Sequence, residues 1–164
     1  MQKTLYTFAL LLAASTIFIS CSGNNRGVVI NGVRWATTNV ETPGSFANNP
    51  ENVGGFFTFE QAQHACPDGW RLPTQQELQL LVDADRGWTN RNGVQGRLFG
   101  GLFFPAAGVS DESGSHYNAG TWGYFWSSSS DDADNGWLLW IGSTFADISN
   151  FCRTNGISVR CVAE

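Results

Sequence analysis

The chain has 164 residues, with nine basic and fourteen acidic side chains and a formal net charge of −5. This balance offers no basic face and excludes a typical nucleic-acid-binding protein, and the length allows one domain with a core but not two. Seven Trp, twelve Phe and nineteen Gly are typical of a fold with many short strands and loops.

The first twenty residues have the pattern of an export signal. Lys3 precedes an apolar run over 5–19, which is shorter than the ~20 residues that span a bilayer and fits a signal-peptide core. The sequence "FISC" that ends this region resembles the lipobox of bacterial lipoprotein precursors, with the small Ser20 before Cys21. The resemblance implies a signal peptide over 1–20 and lipid chains, such as palmitate, on Cys21. The alternative is an ordinary secretory signal followed by an unmodified cysteine.

The segment before the first helix contains a hairpin signal. Residues 21–27 are expected to form a short lipidated tether. Val28–Ile30 and Val33–Trp35 are predicted strands on either side of Asn31-Gly32, because both turn residues tolerate a positive φ. Residues 37–55, rich in Asn, Pro and Gly, are predicted to be loop.

Two helices are predicted from capping boxes, in which the side chain of the cap residue and that of the third helical residue bond each other's backbone N–H. The two boxes are Thr58 with Gln61 and Thr74 with Glu77. The first predicts a helix over 59–66, and the second predicts a helix that ends at Arg86-Gly87.

The rest of the chain favours short strands between polar loops. The strand candidates are 102–108, 124–129, 136–142 and 157–163, and the polar loops are 109–123 and 127–136. The tryptophans of these strands and motifs are interpreted as packing residues: Trp35, Trp70, Trp126 and Trp140. Arg71 and Arg160 are interpreted as structural, bonding loop carbonyls or pairing with Glu77 or an Asp.

Five motifs in order, "INGVRWATTN", "CPDGWRLPTQQEL", "FFPAAG", "GYFWSSSS" and "GISVRCV", resemble the Fibrobacter succinogenes major paralogous domain. From the first to the last, the matches span roughly residues 28–164. That family is related to the C-type-lectin-like fold and to the formylglycine-generating, sulfatase-modifying domain. The resemblance implies an α+β fold of C-type-lectin type, in which two helices flank a small curved antiparallel sheet with long irregular loops.

The same resemblance implies a disulfide between Cys66 and Cys161, because lectin-like folds bridge the end of the first helix to the last strand. Cys152 would then remain a free thiol or seek an intermolecular partner. The cysteine spacing contains no CxxC pair, so it does not suggest a structural zinc site.

Two polar loops supply the candidate ligand-binding residues. Aromatic rings beside polar groups can stack on a sugar face, and an acidic turn provides oxygen ligands of the kind that Ca²⁺ takes. The candidates are Glu112, His116, Tyr117 and Trp122 in the first loop and Asp131, Asp132, Asp134 and Asn135 in the second. The second loop is interpreted as a solvated turn, with Ca²⁺ as the alternative; otherwise no metal or cofactor is expected.

These observations predict a non-catalytic, lectin-like binding or display protein, anchored by lipid to the cell envelope. The outer membrane is the expected location, with exposure at the cell surface left open. The expected partners are the membrane, through the N-terminal lipid, and a glycan or a surface protein. The alternatives are an adhesin-type assembly component without a small ligand and an enzyme of the sulfatase-modifying type.

Overall fold

The computed structural model describes residues 27–164, of which 46% lie in strands and 9% in helices. The strands of this region, in chain order, are β1 (Val28–Ile30), β2 (Val33–Trp35), β3 (Val40–Thr42), β4 (Ser45–Phe46), β5 (Trp70–Arg71), β6 (Asp85–Arg91), β7 (Val94–Phe99), β8 (Leu102–Pro105), β9 (Val109–Ser110), β10 (His116–Tyr117), β11 (Gly123–Ser130), β12 (Asn135–Ile141), β13 (Ala146–Cys152) and β14 (Val162–Ala163). Its helices are α1 (Phe59–Ala62) and α2 (Gln75–Val82). Neither helix is long and apolar enough to cross a membrane.

The described strands form several small antiparallel sheets. Their strand orders are β1-β2-β14-β5, β3-β4, β6-β7-β8, β10-β9 and β11-β12-β13. The expected α+β architecture of C-type-lectin type, with two helices flanking one small curved sheet, is therefore wrong. α1 has four residues and α2 has eight, while strands occupy several stretches that the sequence pattern assigns to helix ends or loops.

Two of the strands that the sequence pattern misses, β6 and β13, share a physical reason. β6 and β13 are the outer strands of their three-stranded sheets, and none of their residues is buried. Apolar alternation appears in a sequence only where one face of a strand is buried. Strands that lie half-exposed at an edge therefore leave a polar, irregular sequence that looks like a loop.

The local turn and cap signals are confirmed. β1 and β2 form the predicted hairpin, in which Asn31 and Gly32 have φ of 47° and 84°. Both capping boxes are present at the starts of α1 and α2. The first helix is shorter than predicted, since after Ala62 the backbone turns more tightly, with i to i+3 hydrogen bonds such as that from Ala65 N–H to Ala62 C=O.

The sheet β11-β12-β13 separates the core into two apolar clusters. Successive residues of a strand point to opposite faces, so Trp126 and Leu138 belong to one cluster while Phe125 and Leu139 belong to the other. α1 adds Phe59 and Ala62 to the first cluster, and α2 adds Leu78 and Leu81 to the second.

The predicted strand over 157–163 is only partly right, because Val162–Ala163 alone lie in a strand. Residues 156–162 are all buried, so both faces of this segment contact the core. Its Arg160 side chain is 1% exposed. The guanidinium donates to Asn39 Oδ1 at 2.8 Å and to the carbonyls of Ala36 and Phe103, and it lies over the Phe104 ring at 4.3 Å.

Burial lowers the pKa of Arg160 to about 9, which still leaves the side chain protonated at neutral pH. Since a guanidinium can only donate hydrogen bonds, the three acceptors fix it in place and supply the polar contacts that a buried cation requires. Arg71 is structural as well, forming two hydrogen bonds to Glu77 of 2.8 and 2.7 Å. The structural interpretation of both arginines is thus confirmed.

A disulfide joins Cys66, in the turn after α1, to the buried Cys161 beside β14. The two cysteines lie 95 residues apart in sequence, and their Cα atoms are 6.0 Å apart. This is the bridge that the family resemblance implies. Within the described chain, Cys152 is the cysteine left outside it, and its side chain is exposed.

We expect the double substitution Cys66→Ala and Cys161→Ala to lower the free energy of unfolding by about 4–5 kcal/mol. The bridge closes a long loop and so restricts the unfolded chain, and this is the size of effect that the chain-entropy model gives for such a loop. Chemical denaturation would measure it, with Cys152→Ala as the control, which should change stability by about 0.5 kcal/mol or less. A double variant as stable as the control would contradict the assignment.

Acid should weaken the fold through Glu77. Hydrogen bonds from Arg71 hold the pKa of this carboxyl below its ordinary value, so the folded state favours the charged form. The stabilisation is complete above the ordinary glutamate pKa and is lost as the pH falls through the lowered one. Because the Arg71 side chain is 43% exposed, solvent screens the pair and we expect at most about 1 kcal/mol of stabilisation.

Glu77→Gln should therefore flatten the acid side of a plot of unfolding free energy against pH. The substitution Glu41→Gln, at an exposed position, serves as the control and should leave that slope unchanged. Equal slopes in both variants would show that the Arg71–Glu77 pair contributes nothing.

Candidate functional site

A cavity of about 260 Å³ opens on one face of the sheet β11-β12-β13. The register places Tyr124 opposite Trp140 and Trp126 opposite Leu138, so these side chains share one face of the sheet. The cavity is lined by Trp122, Tyr124, Leu138, Trp140, Ser149, Asn150 and Phe151. Four of its seven lining residues are therefore aromatic.

The aromatic rings of the cavity hold one another in fixed orientations. The rings of Tyr124 and Trp140 are nearly parallel, with an interplanar angle of 6°, and the ring of Phe151 lies at 14° to that of Tyr124. Trp122 stands at 90° to both Tyr124 and Trp140. Tyr124 and Leu138 are buried and form the floor, while Trp122, Trp140 and Phe151 are half-buried and form the walls.

Polar groups in the cavity are few and sit at defined places. Burial raises the pKa of the Tyr124 hydroxyl, although the nearby Asn118 and Trp140 side chains act against it. The Trp140 indole N–H is buried and makes no hydrogen bond of good geometry within the described chain.

Asn150 connects the cavity to the acidic loop. Its side-chain amide donates to Asp131 Oδ2 at 2.6 Å, which places this predicted residue just behind the lining. Of the eight predicted ligand-binding residues, Trp122 alone lines the cavity. The first predicted loop thus reaches this site through Trp122, whereas the second contacts only the side chain of Asn150, through Asp131.

The remaining acidic-loop residues form a closed turn. The Asp132 carboxylate accepts hydrogen bonds from the backbone of Asp134 and Asn135, both at 2.7 Å, and from the Asn135 amide. These bonds lower the pKa of Asp132. In residues 27–164 no three or more His, Cys, Asp or Glu side chains are grouped to hold a metal ion.

The other predicted residues of the first loop lie outside the cavity. His116 and Tyr117 form β10, which pairs with β9, and Glu112 lies in the turn between these two strands. All three are exposed, and the His116 ring contacts Phe56 with 4.7 Å between ring centroids. Cys21, the predicted lipidation site, lies outside the described residues.

Most of the cavity residues escape sequence reasoning. Trp140 was assigned to packing along with Trp35 and Trp126, which are fully buried, whereas Trp140 is half-buried and lines the cavity. The available signal is the spacing of Leu138 and Trp140, two residues apart in β12, and of Tyr124 and Trp122, the latter just before the start of β11. This spacing puts each pair on one face, but it does not show that the two pairs face each other.

Residues 84–162 match the family described as a domain of unknown function (DUF8237). No curated protein and no solved structure matches the chain. The matched region contains β6 to β13, and therefore all seven residues that line the cavity. The resemblance to the Fibrobacter domain stays a prediction.

Proposed function

We propose that this protein is a non-catalytic binding protein of the bacterial cell envelope, anchored by lipid on Cys21, that takes its ligand in the aromatic cavity. The observation that carries the proposal is the cavity itself, with four aromatic side chains and few polar groups on one sheet face. Ligand sites are typically concave and mainly apolar, with a few placed polar groups that fix orientation.

The volume and lining of the cavity indicate what part of a ligand it accepts. At about 260 Å³ it is slightly smaller than the ~300–1,000 Å³ of pockets that hold drug-sized molecules. It suits one sugar ring or one large apolar side chain of a partner protein. In either case the Trp140 and Tyr124 rings provide the contact surface.

The proposed envelope location is supported by chemistry at both ends of the chain. The lipobox-like sequence before Cys21 supports lipid attachment, and the disulfide between Cys66 and Cys161 suits an oxidising compartment outside the cytoplasm. We place the anchor in the outer membrane, within reach of ligands at or near the cell surface.

Trp140→Ala should abolish the main binding contact. Truncating a central aromatic residue of a binding site typically costs ~2 kcal/mol or more, which is about a 30-fold loss of affinity. The full-length protein would be screened against a printed array of glycans and a library of end-blocked decapeptides. The affinity of each probe that binds would then be measured for wild type and variant.

Trp137→Ala is the matched control for this measurement. Trp137 lies on the same strand, is half-buried as well, and points to the opposite face from Trp140. We expect it to bind like the wild type. The proposal fails if every probe that binds the wild type binds Trp140→Ala with the same affinity.

Lipid attachment is tested by labelling cells with radioactive palmitate. We expect the wild type to take up label and to partition with detergent, and Cys21→Ser to do neither, because acyl chains need that cysteine. Cys152→Ser, which removes the exposed thiol of β13, should be labelled normally. Label that persists in Cys21→Ser would rule out this anchor.

A further inference from the structure

β13 is an outer strand of its sheet, which runs in the order β11-β12-β13. It has seven residues, and none of them is buried. A strand in this position presents one row of backbone N–H and C=O groups away from its sheet, and such a row can pair with another chain.

The register identifies which backbone groups face outward. Tyr124 C=O and Trp126 N–H bond Ser158 on the far side of β11, so Phe125 faces β12 and pairs there with Leu139. Because facing residues alternate in antiparallel pairing, the backbone N–H and C=O groups of Asp147, Ser149 and Phe151 then point towards β12. Arg153 N–H agrees with this alternation, since it donates to Asp134 C=O on the β12 side.

The outward groups are consequently those of Ala146, Ile148, Asn150 and Cys152. Two are already occupied: Ile148 N–H donates to the Asp147 carboxylate, and Cys152 C=O accepts from Asn155 N–H. Within residues 27–164, no group outside the sheet bonds the backbone N–H or C=O of Asn150. A row of free donors and acceptors therefore remains along the middle of the strand.

The aromatic cavity lies against this same edge. Three consecutive residues of β13, from Ser149 to Phe151, line it. Across the sheet Asp147 pairs with Trp140, and Ser149 pairs with Leu138. An added strand would continue these rows, placing one residue beside Asp147 and another, two positions away, beside Ser149 and over the cavity.

The charged residues near the outer edge of β13 determine which charge a partner should carry. Asp147 belongs to the strand, and Asp131 is bonded to Asn150. The nearby Arg153 is already engaged, since it pairs with Glu60 and lies over the Phe59 ring. A second copy of this chain would bring a like-charged edge against this one, whereas a basic partner would be attracted.

We propose that the ligand of the cavity is an extended segment of a partner protein that adds to β13 as a fourth strand. Its large apolar side chain enters the cavity, and a basic side chain two residues away lies beside Asp147. Backbone hydrogen bonds would supply affinity and the cavity would supply specificity, as in other cases of strand addition. The inference rests on the proposed function, since it names the ligand of that same cavity.

The test uses the full-length protein and end-blocked decapeptides that carry Trp and Arg two positions apart, in both orders, among Thr and Val. We expect peptides of one order to bind, and Trp140→Ala to weaken them at least tenfold. Replacing the peptide Arg by Glu should weaken binding at least fivefold, because this peptide side chain lies beside Asp147 and a carboxylate there would be repelled.

Two variants at one position separate backbone pairing from side-chain contact. Asn150→Pro removes the outward N–H at an edge position where proline is tolerated, while Asn150→Ala removes the same amide side chain and keeps the N–H. We expect a loss of at least tenfold for the first and less than threefold for the second. Methylating the peptide nitrogens that face β13 should reproduce the larger loss without altering the protein.

Each other outcome overturns the inference in a recognisable way. A glycan that depends on Trp140 but binds Asn150→Pro as well as it binds the wild type would make the cavity a carbohydrate site, and the proposed function would stand. Self-association that Asn150→Pro abolishes would make the occupant a second copy. Failure of every peptide to bind the wild type refutes strand addition. If no probe of either kind depends on Trp140, the proposed function fails as well.

Discussion

Residues 156–162 are buried throughout and pair through the backbone with six separate parts of the chain. The partners are Ser110, Phe57, the pair Tyr124 and Trp126, Val40, Ala36 and Arg71. No single neighbour pairs with the whole segment. The small sheets are consequently held at their mutual angles by this one buried stretch, and the disulfide at Cys161 fixes it covalently to the turn after α1.

The cavity depends on this arrangement through Ser158. Its bonds to Tyr124 and Trp126 fix the inner edge of the sheet β11-β12-β13, and the other two strands follow from β11 by regular pairing. Trp126 is further held by its indole N–H, which donates to Phe57 C=O at 2.8 Å. The buried half of the sheet face is thus rigidly supported, and the open half carries the aromatic rings.

Arg160 adds a polar constraint in the middle of the same segment. It is fully buried and has three oxygen acceptors from two places, namely Ala36 and Asn39 between β2 and β3, and Phe103 in β8. A buried cation can be accommodated only when its donors are satisfied, so any shift of these loops would leave donors unpaired. Arg160 therefore specifies one arrangement of the loops around it.

Sequence reasoning succeeded where a structure is decided by neighbouring residues. Asn31-Gly32 and the two capping boxes act over three or four positions, and each is found as predicted. The turn at Asn92-Gly93 carries the same signal and connects β6 to β7. This hairpin was not predicted, because the exposed β6 has a polar sequence without apolar alternation. The disulfide came from family resemblance, since spacing alone leaves the pairing of three cysteines open.

The candidate site could be predicted only in part, because it is assembled from distant positions. Trp122 is predicted because it is an aromatic residue in a polar loop. Trp140 and Phe151, in contrast, reach the cavity only through the register of three strands. Register depends on the tertiary packing of each face. The unpredicted edge strand β13 supplies three of the seven lining residues, and without that strand nearly half of the lining cannot be predicted.

The position of the buried segment along the chain also governs how the protein is made. Residues 156–162 follow in sequence all six parts that they join, so a growing polypeptide emerges from the ribosome without the segment that connects its sheets. Contacts between such remote positions form slowly. The small sheets therefore cannot take their final arrangement until residues 156–162 have been synthesised, and until then the preceding polypeptide remains without the contacts that join them.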